Sequence, residues 1–66
     1  RDVQIGNCYK DINGNVFKVI TIAKDYDSQE DLVIYKALFG SSDTWAMPKT
    51  IFIGDVDGKQ RFADAQ

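Results

Sequence analysis

A single cysteine, Cys8, and the absence of histidine leave this chain without two common staples of short proteins, an internal disulfide and a Cys/His zinc site. At 66 residues, it has a length at which folding buries only about 60% of the surface that the unfolded chain exposes. Stability must come from an efficient core or from association. Nearly every large apolar side chain is therefore expected to serve the fold, and self-association into a homo-oligomer stays open.

Eight Lys or Arg against ten Asp or Glu give a formal charge of −2, spread along the chain. That balance offers no positive footprint for nucleic acid, which is an unfavoured partner. No apolar run approaches the roughly 18 residues of a membrane span, so no membrane partner is expected. A chain that starts with Arg is expected to be a processed product or an excerpt, and the lack of a visible leader does not exclude export. One cysteine and no disulfide pair favour a reducing compartment, and a cytoplasmic location is expected.

Apolar residues run from Val3 to Phe62 with no long polar break, repeat or linker, which predicts one small domain over residues 1–66. Asn13-Gly14 lies between apolar residues and predicts a tight hairpin with its central positions at φ > 0. The arm before it covers about residues 6 to 10. The arm after it, "VFKVITIAK" at 16–24, is rich in β-branched side chains, which pack well on a pleated surface. Neither of its faces is cleanly polar, so a long curved strand whose faces exchange exposure is expected.

"DYDSQED" at 25–31 is a polar turn. Asp25 and Asp27 start like a calcium loop, but Glu30 stands at the sharp-turn Gly position and Lys36 at that of the final carboxylate, so an EF-hand is rejected. "DLVIYKALF" supports two readings. A helix capped at Ser28 would place Leu32, Tyr35 and Leu38 in one stripe, with Gly40 as its stop. A strand would place Val33, Tyr35, Ala37 and Phe39 on one face. The β-branched and aromatic centre favours the strand.

"GSSD" at 40–43 then reads as a hairpin loop and "TWAM" as a short returning strand. Pro48 opens a brief turn or 3₁₀ segment through "PKTIF". Residues 51 to 56 resume β character, Asp57-Gly58 marks another tight turn, and "KQRF" supplies a final edge strand ending at Phe62. The predicted class is mainly β, a small barrel or roll of five to six short, mostly antiparallel strands.

In order and spacing, "GNCYKDINGNVFKV", "IAKDYDSQEDLVIYKALFG", "WAMPKTIF" and "RF" resemble the bacterial family catalogued as domain of unknown function 1653, over residues 6–62. The resemblance implies an SH3-like β roll and supports the strand at 32–38. It implies no biochemical activity. Tyr35, Gly40, Trp45 and Pro48 follow the family pattern. Relatives often carry His where this chain has Asp11 and Asp25, and Arg where it has Met47, so a site built on imidazole or guanidinium at those positions is absent or altered here.

Little in the chain points to catalysis. Cys8 has no His to activate it and is expected to be a small core hydrophobe. Asp11 with Asp25, or Asp55 with Asp57, are the carboxylate pairs available for acid/base work, and no spacing rule joins the first pair. Asn13-Gly14-Asn15 is a hairpin, not a phosphate loop, and no cofactor is expected. Aromatic side chains carry the stronger signal, because they give large contact area at little rotamer cost.

Tyr9, Tyr35 and Trp45, with Lys36 beside them, are the candidate binding residues. Core packing competes for the rings, and is the favoured role of Trp45 and Phe52. The leading functional expectation is a non-enzymatic accessory module that binds a protein or peptide. The alternatives are single-stranded nucleic-acid binding through Lys18, Lys24, Lys36 and Lys49 around the aromatics, or a structural domain without its own ligand.

Overall fold

The computed structural model describes residues 2–65. The β-branched run after the Asn-Gly turn becomes the longest strand, β2 (Val16–Lys24), with β1 (Cys8–Asp11) and β3 (Asp31–Ala37) antiparallel on its two sides. β4 (Thr44–Pro48) pairs outside β3. A four-residue helix, α1 (Lys49–Phe52), follows, then a separate two-stranded ribbon of β5 (Asp55–Val56) and β6 (Lys59–Gln60). Last, β7 (Phe62–Asp64) returns to pair outside β1, which gives the main sheet the order β4-β3-β2-β1-β7.

The strand reading of the Val-Ile-Tyr segment holds. Val33, Tyr35 and Ala37 are buried while Lys36 between them is exposed, the alternation expected of a sheet with one face on the core. In β2 the faces do exchange. Its ladder to β3 runs through Phe17↔Ala37 and Val19↔Tyr35, then resumes at Thr21↔Ile34, leaving Ile20 as an extra residue. Such a bulge shifts the parity of the strand and sharpens its bend. Phe17 and Val19 are buried before it, Ile22 packs on the core after it, and Ile20 stays exposed.

Among the described residues, five of the eight buried apolar side chains are aromatic, so a small number of residues closes a large area. Their rings meet mostly edge to face: Phe17 lies 5.3 Å from Tyr35 and 5.7 Å from Phe62, and Tyr35 lies 5.5 Å from Phe52. Phe52 and Phe62 stack at 4.1 Å.

Barrel closure, one form the expected fold takes, does not occur. Neither sheet closes on itself, and β4 and β7 are the two edges of the five-stranded sheet. Helix α1 replaces the missing pairing: it packs on β3 and β4, and its fully buried Phe52 reaches Tyr9 of β1 at 5.6 Å as well as Phe62 of β7.

Strand character from residue 51 onward is also corrected. Ile51 and Phe52 belong to α1, and only Asp55 and Val56 of that stretch are extended. Pro48, at φ −54° and ψ 135°, turns the chain out of β4, and the Ile53 N–H then closes a helical turn on the Lys49 carbonyl at 3.0 Å. Asp57 and Gly58, at φ 51° and 79°, form the expected tight turn. Lys59 and Gln60 are spent on that ribbon, so the final edge strand starts at Phe62 and reaches Asp64 rather than ending at Phe62.

The Asn13-Gly14 turn is longer than a two-residue hairpin. Gly14 has φ 86°, whereas Asn13 is not among the residues with positive φ. The Asp11 N–H donates to the Asn15 carbonyl at 2.9 Å and the Gly14 N–H to the Asp11 carbonyl at 3.0 Å. This is a turn followed by a left-handed glycine, the common route by which a three-residue loop joins antiparallel strands.

Candidate functional site

Where β3 ends, the core opens. Phe17, Tyr35 and Ala37 line a groove of about 430 Å³, walled by Phe39, Trp45 and the loop residues Gly40, Ser41 and Asp43. Register explains the grouping. Ala37 faces Asp43 and accepts that strand's approach through a 2.9 Å bond from its N–H to the Asp43 carbonyl, and Tyr35 pairs with Trp45. Residues two apart share a face, so Asp43 and Trp45 project on the side that carries Tyr35 and Ala37.

The rings differ in exposure. Tyr35 is 7% exposed and Trp45 52%. Trp45 lies on the edge strand β4, opposite the buried Tyr35, and core packing, its favoured role from sequence, gives way to a half-solvated wall. Its indole makes no ring contact or hydrogen bond among the described residues. Phe39, 47% exposed, leans on Phe17 at 5.5 Å and closes the loop side. Burial raises the pKa of the Tyr35 phenol, with Arg61 opposing the rise and Asp11 adding to it, so Tyr35 meets the groove as a neutral ring.

The same register sets the backbone of β4. Because the 37/43 pair is hydrogen-bonded, the 35/45 and 33/47 pairs are too, and alternation turns the backbone groups of Thr44 and Ala46 away from β3. They face the open edge of the sheet. The groove and an unpaired strand edge thus lie side by side.

Of the sequence candidates, Tyr35 and Trp45 come together. Tyr9 lies elsewhere, 2% exposed in the core, its hydroxyl accepting the Gln4 N–H at 2.9 Å. Lys36 projects from the opposite face of the sheet, in register with Lys18 on one side and Thr44 on the other. No lysine lines the groove, and Lys24 is drawn to Asp31 at 2.8 Å. The sequence alone does not single out Phe17, Phe39 or Asp43 for the site. A signal for Phe39 existed, since strand alternation places it on the face of Tyr35 and Ala37.

Asp11 and Asp25 have plain structural work. The Asp11 Oδ1 accepts the N–H groups of Asn13 and Asn15, both at 2.9 Å, and its Oδ2 accepts the Asn15 side-chain amide at 3.3 Å. The Asp25 Oδ1 accepts the N–H groups of Asp27 at 2.9 Å and Ser28 at 3.2 Å. Each carboxylate holds the turn at one end of β2. Among the described residues, no group of three or more Cys, Asp or Glu is arranged to hold a metal ion.

A small two-sheet β domain with an aromatic groove beside an open edge is the class these features define. Over residues 7–64 the chain matches the family described as "Protein of unknown function (DUF1653)", and it belongs to that family. No curated protein and no solved structure matches it.

Proposed function

We propose that this protein is a non-enzymatic interaction module that takes an extended peptide of another protein along β4, with one side chain of the peptide entering the groove beside Trp45. The observation that carries this reading is the half-exposed Trp45 forming a groove wall next to the outward backbone groups of Thr44 and Ala46. A peptide added as a strand gains main-chain hydrogen bonds from such an edge and specificity from a pocket for alternate side chains. An exposed Trp with an unused π face is a frequent centre of binding energy. Pro48 has no N–H to offer, so the edge available to a peptide ends there.

The four-strand meander, the helical turn and the last strand that returns to β1 support an SH3-like roll as the fold type. A reducing, cytoplasmic setting accords with a sequence that holds one cysteine.

Selection of short peptides on the immobilised protein, followed by amide shift mapping, tests the reading. Binders should shift Thr44 to Ala46 and the loop residues Gly40 and Ser41, and Trp45→Ala should weaken them at least about tenfold. Binders that map to another face, or that ignore Trp45→Ala, would overturn it.

A further inference from the structure

The groove has an electrostatic character that its apolar floor conceals. Four aromatic rings surround it, Phe17, Tyr35, Phe39 and Trp45, and among the described residues Asp43 is the one charged residue that lines it. Among the described residues no lysine or arginine lines the groove: Lys36 faces the other side of the sheet, and Arg61, whose charge reaches Tyr35, is not part of the lining. From this arrangement, and resting on the peptide-binding reading above, we infer that the side chain entering the groove is a cation, the guanidinium of arginine or the ammonium of lysine or methylated lysine.

Three physical points converge on this choice. The face of an aromatic ring carries the negative end of its quadrupole, and the half-exposed Trp45, engaged with no other ring among the described residues, is the ring type that attracts a cation most strongly. Asp43 adds a full negative charge on the same face. An apolar side chain would suit the rings but would strip water from Asp43 without replacing it, and an anion would meet both the rings and the carboxylate as like charge. The volume, about 430 Å³, suits one long side chain with its stem on the rings, near the low end of the roughly 300–1,000 Å³ typical of small-ligand clefts.

A second copy of this chain does not meet the same demand. Pairing two β4 edges would offer the segment Thr44–Pro48, in which no residue is basic, and the nearest cation, Lys49, belongs to α1 rather than to the strand. The occupant is a basic peptide of another protein.

Single-residue probes isolate the pocket from the strand edge. The full chain, isotopically labelled, is titrated with the acetylated amides of lysine, trimethyllysine, arginine and norleucine, and the amide shifts of Gly40, Ser41, Asp43 and Trp45 are followed. At least one cationic probe should saturate these shifts and bind about tenfold tighter than norleucine. Trp45→Ala should weaken that probe about tenfold, and Asp43→Asn about fivefold. Asp43→Asn keeps the backbone carbonyl that Ala37 uses, so it separates charge from folding.

Norleucine binding as well as the cations would overturn the inference and leave the groove reading intact. Asp43→Asn without effect would overturn the role given to the carboxylate, and with it the inference. No shift from any probe would overturn the cation inference as well. The groove reading would then be judged by whether peptides selected on the whole protein still require Trp45.

Discussion

Tyr35 and Trp45 stand opposite each other in the β3–β4 register, yet one ring is closed into the core and its partner is half in solvent. Fold and site therefore share a single cross-strand pair. Tyr35 touches Phe17, Phe52 and Phe62, whereas Trp45 touches no ring among the described residues.

That asymmetry separates stability from recognition. Trp45→Ala should cost no more than about 1 kcal/mol of folding free energy, as expected of a surface position. Phe52→Ala should cost about 3–5 kcal/mol, against a total of only about 3–10 kcal/mol for a chain of this length. Urea unfolding of the two variants checks both values. A Trp45→Ala loss as large as that of Phe52→Ala would show that the indole belongs to the core.

Asp11 and Asp25 make the turns at the two ends of β2 separately testable. Asp11→Ala removes an acceptor for two backbone N–H groups at once, and Asp25→Ala does the same at the other turn. Each should destabilise by about 1 kcal/mol, the usual net worth of such bonds, and Asn at either position should restore most of it. Thermal melts of the four variants give the comparison.

On the outer face, Lys18 and Lys36 oppose each other in the β2–β3 register. Like charges directly across a sheet repel, so Lys36→Glu should raise stability by about 0.5 kcal/mol at low salt, with the gain shrinking as salt is added. Peptide binding at the groove should be unchanged. A variant that lost binding instead would return Lys36 to the site.

Lys24 and Asp31 close the far end of the same strand pair at 2.8 Å, and the hydrogen bond and charge of Lys24 hold the Asp31 carboxyl below its ordinary pKa. A carboxylate with its folded pKa lowered stabilises the fold above its unfolded pKa. That contribution is lost as pH falls through the folded value. Lys24 is largely exposed and Asp31 is partly so, and the effect is small and screened by salt. An NMR titration of Asp31 should show the depression, and Lys24→Met should return the carboxyl to the ordinary carboxylate range.

Much of this architecture is legible as pattern. Val33, Tyr35 and Ala37 alternate with exposed or half-buried neighbours, and β-branched content decides for a strand over a helix. The mixed faces of residues 16–24 announce a change of side, although only the structure places it at Ile20. Local pattern fails where a long-range partner decides. Residues 51 and 52 are as apolar as a strand, but Phe52 is needed beneath Tyr9 and Phe62, and a helical turn after Pro48 delivers it there. From sequence, Trp45 is assigned to the core because a short chain needs its large side chains inside. Its exposure goes with its place on the edge strand β4, a property of sheet order that no spacing encodes. Asp43 read as loop chemistry alone, because its carboxylate matters only once Ala37 is known to lie opposite.

The floor of the groove is made of the rings that hold the molecule together, Phe17 and Tyr35. Whatever fills the groove binds the folded chain and has no such surface on the unfolded one, so occupancy and folding are one linked equilibrium. A ligand present at a hundred times its dissociation constant should add about 2.7 kcal/mol to the unfolding free energy. In a domain of such narrow margin, that is a large fraction of its existence as a folded species. The melting temperature becomes an assay for the proposed peptide, and the lifetime of the folded domain would rise with the concentration of any such ligand.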